Sequence, residues 1–136
     1  MLQHNYLKNL EPVIAASWFT IDTGTYVYAS VQTVSNAEKH LMVVRDAGEI
    51  TVVTDTDNLP LEGPYQQNKE QWKLVNIRCG NPFYCVGFIA LITGVLADAG
   101  IDIVLISSFS NDLILVMEKD MDDTVRILKE TGFKQQ

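Results

Sequence analysis

The sequence predicts an α+β protein, and three observations predict it. Short stretches rich in Val, Ile, Thr and Tyr, residues that suit a pleated and half-buried surface, recur in both halves. A long apolar segment, 83–99, and a second segment near the C-terminus with one apolar stripe read as helices. In the second half these elements follow the order β-α-β-β-α, most of a ferredoxin-like split β-α-β unit.

At 136 residues the chain suits one compact domain or two very small halves, and it can bury a real core. The opening "NYLKNLEPVI" reads as a short helix or helix plus turn, with Tyr6, Leu7 and Leu10 as its apolar contacts. Asp22-Thr23-Gly24 reads as a turn and "TYVYASVQ" as the strand after it. Strands at about Lys39 to Arg45 and Glu49 to Thr54 flank Asp46-Ala47-Gly48, a hairpin turn in which glycine is free to take a positive φ. Gln32 to Glu38 is too short for a full crossover helix, so the first half reads as a trimmed version of the second. Thr56 to Lys69, rich in Pro, Gly, Asp, Asn and Gln, reads as a linker between halves.

"QWKLVNIRC" is the next strand, with Trp72, Leu74 and Asn76 on one face and Lys73, Val75 and Ile77 on the other. Asn81-Pro82 breaks it, because proline lacks an N–H and favours a helix start. The helix that follows runs to Ala99, with Gly100 as its left-handed C-terminal residue. It is apolar nearly all round: Val86, Ile89, Thr93 and Leu96 on one side, Phe88, Leu91, Ile92 and Val95 on another. A helix of that kind is buried on more than one side, and its second side is expected to be covered by the first half or by a second chain, with a homodimer favoured. Strands at Ile101 to Ser107 and Asp112 to Met117 come next. Asp120 then reads as the N-cap of a last helix, with Asp122 and Asp123 in its first turn and Met121, Val125 and Leu128 facing inward. Gly132 ends it. Only "FKQQ" remains, so no final strand is expected.

Composition narrows the function. The apolar fraction of 47% and charged fraction of 20% are those of a folded domain, and the net charge of -7 with scattered Lys and Arg excludes a phosphate-collecting surface. Nucleic acid is therefore not an expected partner. No secretory signal and no membrane span are visible, which makes a cytoplasmic protein the expectation. Cys79 and Cys85, the only cysteines, form no CxxC pair and cannot make a structural zinc site alone. They read as reduced thiols; a reactive Cys85 near a helix start is the competing reading, without a recognisable base. His4 and His40 stand far apart as surface or structural residues. Asp55 with Asp57, and Asp122 with Asp123, read as solvation and helix capping. No catalytic triad, metal motif, phosphate loop or cofactor motif is present.

Two places remain for a ligand. "CVGFI", Cys85 to Ile89, opens a helix whose N-terminus presents unpaired amides suited to a carboxylate, and Gly87 lets a ligand approach or simply permits helix–sheet contact. "ISSFSNDLILV", Ile106 to Val116, places Ser108, Phe109, Asn111 and Asp112 between two apolar runs. It is either an Asx-type turn or a polar cluster in which Asp112 accepts from an ammonium. An α-amino acid carries groups for both places.

"VGFIALITGVLADAGIDI" and "ISSFSNDLILV" resemble the ACT domain, a small ligand-binding regulatory module, over about Trp72 to Phe133. More narrowly they resemble the paired-ACT family of the CASTOR-type arginine sensors and short bacterial relatives. "LEPVI…GTYVYASV…EITVV" resembles the N-terminal ACT-like half of such proteins more loosely. The resemblance implies a ferredoxin-like βαββαβ fold in two tandem ACT-like halves, residues 1–63 degenerate and 64–136 a full ACT domain. It implies side-by-side sheets with a small ligand, usually an amino acid, at an ACT–ACT interface. Carried over by position, it gives Asp112, Ser108, Phe109, Asn111, Val86 and Gly87 as ligand-binding residues. "NPFYCVGF" lacks the acidic residue before Val-Gly that a sensor of a cationic side chain uses, so arginine specificity does not transfer. The expectation is a non-catalytic sensor or regulatory protein that binds an amino acid or similar small metabolite. It has no cofactor or membrane association, forms a homodimer, and acts on a regulated protein partner. The alternative is a ligand-free assembly module that dimerises through its sheets.

Overall fold

A four-residue strand near the N-terminus, absent from the expectations above, organises the larger part of the molecule. The computed structural model describes residues 5–81 and 85–136, without the side chains of Asn5 and Tyr6. Its elements in chain order are α1 (Glu11–Ala15), β1 (Trp18–Ile21), β2 (Tyr26–Val31), β3 (Met42–Arg45), β4 (Ile50–Asp55), β5 (Tyr65–Gln67), β6 (Lys73–Arg78), α2 (Phe88–Asp98), β7 (Ile103–Ser107), β8 (Asp112–Val116), α3 (Met121–Thr131) and β9 (Lys134–Gln135). The strands form a five-stranded sheet, β7-β8-β6-β1-β9, and a four-stranded sheet, β3-β4-β2-β5.

The chain divides into two compact units, and neither follows a cut at residue 63. One joins the chain up to Asp22 to Leu74–Gln136; the other is Thr23–Lys73. The first unit has the expected β-α-β-β-α order in β6-α2-β7-β8-α3, and it also has the closing strand that the sequence reading left out. β9 pairs in parallel with β1, setting Trp18 opposite Lys134 and Phe19 opposite Gln135, and the Gln136 amide adds a 2.9 Å bond to the Phe19 carbonyl. β1 also pairs antiparallel with β6, Phe19 opposite Ile77. "WFTI" and "KQ" are too short for periodicity to announce them. Their strand character comes from the neighbour each one finds.

The helices pack on the sheet through one apolar cluster. Phe19, Val75, Ile77, Ile92, Leu96 and Leu128 are each 0% exposed within it. Fully burying one such side chain contributes about 1.5–3 kcal/mol relative to exposure. In α2 the fully buried stripe is Phe88, Ile92 and Leu96, one face at i, i+4 and i+8, while Ile89, Leu91 and Val95 are half-buried. The helix starts at Phe88 rather than near 83. Phe83 and the Pro82 break lie outside the described residues. Its end is as expected: Ile101 donates to the Leu96 carbonyl and Gly100 to the Ala97 carbonyl, with Gly100 at φ 73. Both bonds satisfy carbonyls that the helix end would otherwise orphan.

α3 ends at Gly132 in the same way, Phe133 donating to Leu128 and Gly132 to Lys129. Asp120 stands at its cap position but makes no side-chain cap bond, because a 3-10 turn, Glu118–Asp120, runs directly into the helix. The inward stripe includes Thr124 and Ile127 besides Leu128, with Met121 and Val125 half-buried. At the N-terminus Leu10 is buried as expected, but Leu7 is 41% exposed, since the segment begins as a 3-10 turn and α1 starts only at Glu11.

The second unit is antiparallel throughout. β2 pairs with β4 and β5, and β3 with β4, around the Asp46-Ala47-Gly48 turn. There the Asp46 carboxylate accepts from the Gly48 and Glu49 amides at 2.8 and 3.0 Å. The expected linker, 56–69, holds a 3-10 turn, Thr56–Asn58, and then β5, so it belongs to this unit rather than separating two halves. Its polar residues serve turns while Tyr65–Gln67 borrows the edge of β2.

Ser17 fastens α1 to the end of β6. It is 0% exposed; its hydroxyl donates to the Val13 carbonyl at 2.6 Å and accepts from the Gly80 amide at 2.8 Å. A Cβ on Gly80 would stand 2.7 Å from the Val13 carbonyl oxygen. Ser17→Ala removes both bonds, each contributing about 0.5–1.5 kcal/mol, and is expected to cost about 1–3 kcal/mol, read as a lower urea midpoint with an unchanged m-value.

Candidate functional site

The β7–β8 hairpin sets the first wall. Its register runs from Ile103 opposite Val116 to Ser107 opposite Asp112. The turn beyond is tight: Ser108 donates its amide to the Asn111 carbonyl at 2.8 Å, and the Asn111 amide returns a 3.2 Å bond to Ser108 Oγ. Phe109 and Ser110 are left at the tip, with Phe109 84% exposed. The segment does turn at Ser108 and Asn111, but on the Ser108 hydroxyl rather than on an Asn or Asp side chain. Asp112 is different, because it lies on the strand and not in the turn. Ser107 Oγ, directly across the ladder, donates to Asp112 Oδ1 at 2.7 Å. That partner was readable from the hairpin register, since facing residues in a ladder are spatial neighbours.

The second wall is the passage from β6 into α2. Cys79, 7% exposed, follows the end of β6, and Cys85 begins the turn that leads to the helix. Gly87 is the N-cap residue of α2 at φ 88, a left-handed conformation that costs a side-chain-bearing residue about 1–2 kcal/mol. Glycine is required there by backbone geometry, a reason different from either sequence reading. The Cys85 carbonyl accepts from the Phe88 amide at 3.3 Å and the Gly87 carbonyl from the Leu91 amide at 2.9 Å.

Between the walls lies a cavity of ≈250 Å³. It brings together Asp112, Ser108, Phe109 and Asn111 with Cys79, Cys85, Phe88 and Ile89. Val86 and Gly87 do not line it, and Val86 is 82% exposed. Asp112 is the only charged side chain among the described lining residues. Its field reaches Cys79, whose thiol is pushed up to about 11, first by burial and then by Cys85 and Asp112, against a 3.4 Å hydrogen bond from the Asn81 amide. The cavity is thus small, apolar on its helix side and negative at one point. It suits a cationic group beside an aliphatic or aromatic body.

Asp55, Asp123 and His40 among the remaining sequence candidates have structural partners. Asp55 Oδ1 accepts from the Asp57 amide at 2.9 Å, and Asp123 pairs with Arg126 at 3.2 Å. His40 Nδ1 lies 2.9 Å from Thr54 Oγ1, beside a ≈290 Å³ cavity of the second unit; His4 lies outside the described residues. Among the described residues no three His, Cys, Asp or Glu side chains converge as metal ligands. Among the described residues no helix is long and apolar enough to cross a membrane.

Residues 67–130 match the family model described as ACT domain. No curated protein matches the sequence. Among solved structures, a Vibrio cholerae protein of unknown function, described as a possible transport protein, aligns over 94% of this chain and 99% of its own, at 19% identity and a TM-score of 0.79. An Agrobacterium tumefaciens protein aligns over 88% and 92%, at 20% identity and TM-score 0.68. The regulatory subunit of aspartate kinase from Thermus thermophilus, in its ligand-free form, aligns over 83% and 95%, at 10% identity and TM-score 0.61. At these identities the likeness is one of fold. It supports an ACT-like α+β architecture of two sheets and three helices.

Two measurements test the geometry of this site. Gly87→Ala is expected to lower stability by about 1–2 kcal/mol in denaturant unfolding, the strain of a left-handed alanine. In native alkylation, Cys79 is expected to stay nearly unreactive at neutral pH. Its labelling rate should rise as pH approaches about 11, because only the thiolate attacks and its formation is delayed.

Proposed function

We propose that this chain is a non-catalytic regulatory module of the ACT type that binds a small metabolite, with an α-amino acid as the ligand class. The observation that carries the reading is Asp112, the one charge among the described residues of a cavity whose other wall is the apolar start of α2. A half-buried carboxylate that receives one hydroxyl hydrogen bond retains acceptor capacity, and an ammonium is its natural complement. Ser108 and Asn111 shape the polar rim and Phe109 the mouth. The Phe88 amide is engaged with Cys85, so the carboxylate falls to later amides of the first helical turn, placed there by the Gly87 cap. The fold shared with an aspartate kinase regulatory subunit supports a regulatory role acting on a protein partner. The tandem reading, a degenerate ACT-like half beside a full one as in CASTOR-type sensors, belongs to the same proposal.

Assembly is its second part. β7 is an edge strand of the five-stranded sheet, and Ile103, Val104, Leu105 and Ile106 along it are half-buried. Apolar edges favour pairing with another strand, and a second copy of this chain is the proposed partner. The same observation favours the alternative of a ligand-free assembly module.

A thermal-shift screen of the twenty amino acids separates the two. Ligand at 100 times its dissociation constant stabilises the folded state by about 2.7 kcal/mol. The expected result is a rise in Tm with one or a few amino acids for the wild type and none for Asp112→Ala. No shift at millimolar concentrations, together with a dimer in sedimentation, selects the assembly module. An equal response in Asp112→Ala places the ligand elsewhere.

A further inference from the structure

The function proposed above makes no use of the two cysteines, yet the fold brings them together. Cys79 leaves the end of β6 and Cys85 enters the turn before α2, and both line the ≈250 Å³ cavity. The two thiols are free and border the same cavity, and Cys85 contributes to raising the Cys79 thiol. Cys79 is 7% exposed, whereas Cys85 is half-buried and the more accessible of the pair. Two thiols on one cavity wall, one accessible and one shielded, are the arrangement of a nucleophile with a resolving partner.

We propose that Cys79 and Cys85 form a reversible intramolecular disulfide by exchange with a small disulfide such as oxidised glutathione, in the wall of the cavity that they share with Asp112.

The exchange balances in two steps. The Cys85 thiolate attacks one sulfur of oxidised glutathione, forming a mixed disulfide and expelling one glutathione thiolate. The Cys79 thiol loses its proton to solvent and attacks the Cys85 sulfur, closing the protein disulfide and expelling the second glutathione. Two protein thiols are oxidised, one glutathione disulfide is reduced to two thiols, and no other reactant is consumed.

The second step faces an obstacle whose size can be weighed. The groups that bear on Cys79 are Cys85, Asp112 and the Asn81 amide. Burial and the first two push its thiol from 9.0 up to about 11. That leaves roughly 100-fold less thiolate at neutral pH, of which the greater nucleophilicity of a more basic sulfur returns close to tenfold. The net loss is about tenfold. Against it stands the advantage of an intramolecular attack, effective molarities of ~10⁵–10⁸ M for well-oriented groups, which is far larger. Closure therefore outruns loss of the adduct, and its rate rises with pH.

The consequence for ligand binding, a cavity reshaped beside Asp112, rests on the proposed function; the bond itself does not. The test accordingly uses no ligand. The full chain is incubated with oxidised glutathione at a series of pH values, quenched with acid, and read by intact and peptide mass spectrometry. The expected product has lost two hydrogens, joins the peptides of Cys79 and Cys85, and returns to the starting mass with dithiothreitol. Cys79→Ser should stop at a stable glutathione adduct on Cys85. Should that variant fail to fold, the wild-type pH series decides: the Cys79–Cys85 cross-link should appear faster as pH rises and in step with loss of the adduct, and loss of the adduct without a cross-link overturns the proposal. Cys85→Ser should yield no cross-link. A lasting adduct in the wild type overturns the proposal, as does a native protein inert to oxidised glutathione while its denatured form reacts.

Discussion

The pairing of β1 with two partners at once is the constraint on which the larger unit depends. β1 joins β6 on one side and β9 on the other, so the chain's first strand lies inside the sheet and its last lies at the edge. Phe19 at its centre has no exposed surface and packs in the cluster that holds α2 and α3. With β1 in that position, β6 acquires neighbours on both sides, and its Val75 and Ile77 are sealed. The segment between β1 and β6 must leave this unit and come back. It does so as an independent antiparallel sheet, Thr23–Lys73.

That connectivity explains why the unit is stable with so short a closing strand. β9 is two residues long and would not hold alone, but Phe133 before it is 3% exposed and meets Phe88 edge-on at 5.8 Å. The Schellman turn at Gly132 aims that ring inward while it satisfies the last carbonyls of α3. Capping, core and sheet edge are here one arrangement. The same logic operates at the cavity. Hairpin register sets Ser107 opposite Asp112, the left-handed Gly87 sets the start of α2, and the end of β6 delivers Cys79. None of these residues is placed by a mobile loop of its own choosing; each stands at or next to the end of a regular element.

Much of the fold was legible in the residues. β2, β3, β4, β6, β7 and β8 all lie within a residue or two of stretches whose composition announced them, apart from the later starts of β3 at Met42 and β7 at Ile103. Gly100 and Gly132 marked the two helix ends because only a residue that tolerates positive φ closes a helix in this way. What escaped was short or conditional. β1, β5 and β9 have too few residues for a period, and Asp120 resembles a cap until a 3-10 turn takes its place. At the site, "ISSFSNDLILV" pointed to Asp112 and the residues around it, and four of the six named positions line one cavity. Val86 and Gly87 were picked for backbone proximity to a ligand. Neither lines that cavity, and Gly87 caps α2 at φ 88.

By itself the sequence determined the local choices: which stretches extend, where helices stop, and that a carboxylate follows a polar turn between two apolar strands. Those depend on side-chain shape and backbone preference within a few residues. Only the tertiary structure decided that the N-terminal strand belongs to the C-terminal sheet, that "KQ" is a strand, and that Cys79, Cys85 and Asp112 share a cavity. Such contacts join residues tens of positions apart, and their free energy comes from surfaces that exist only once both partners are in place. A local pattern carries no record of them.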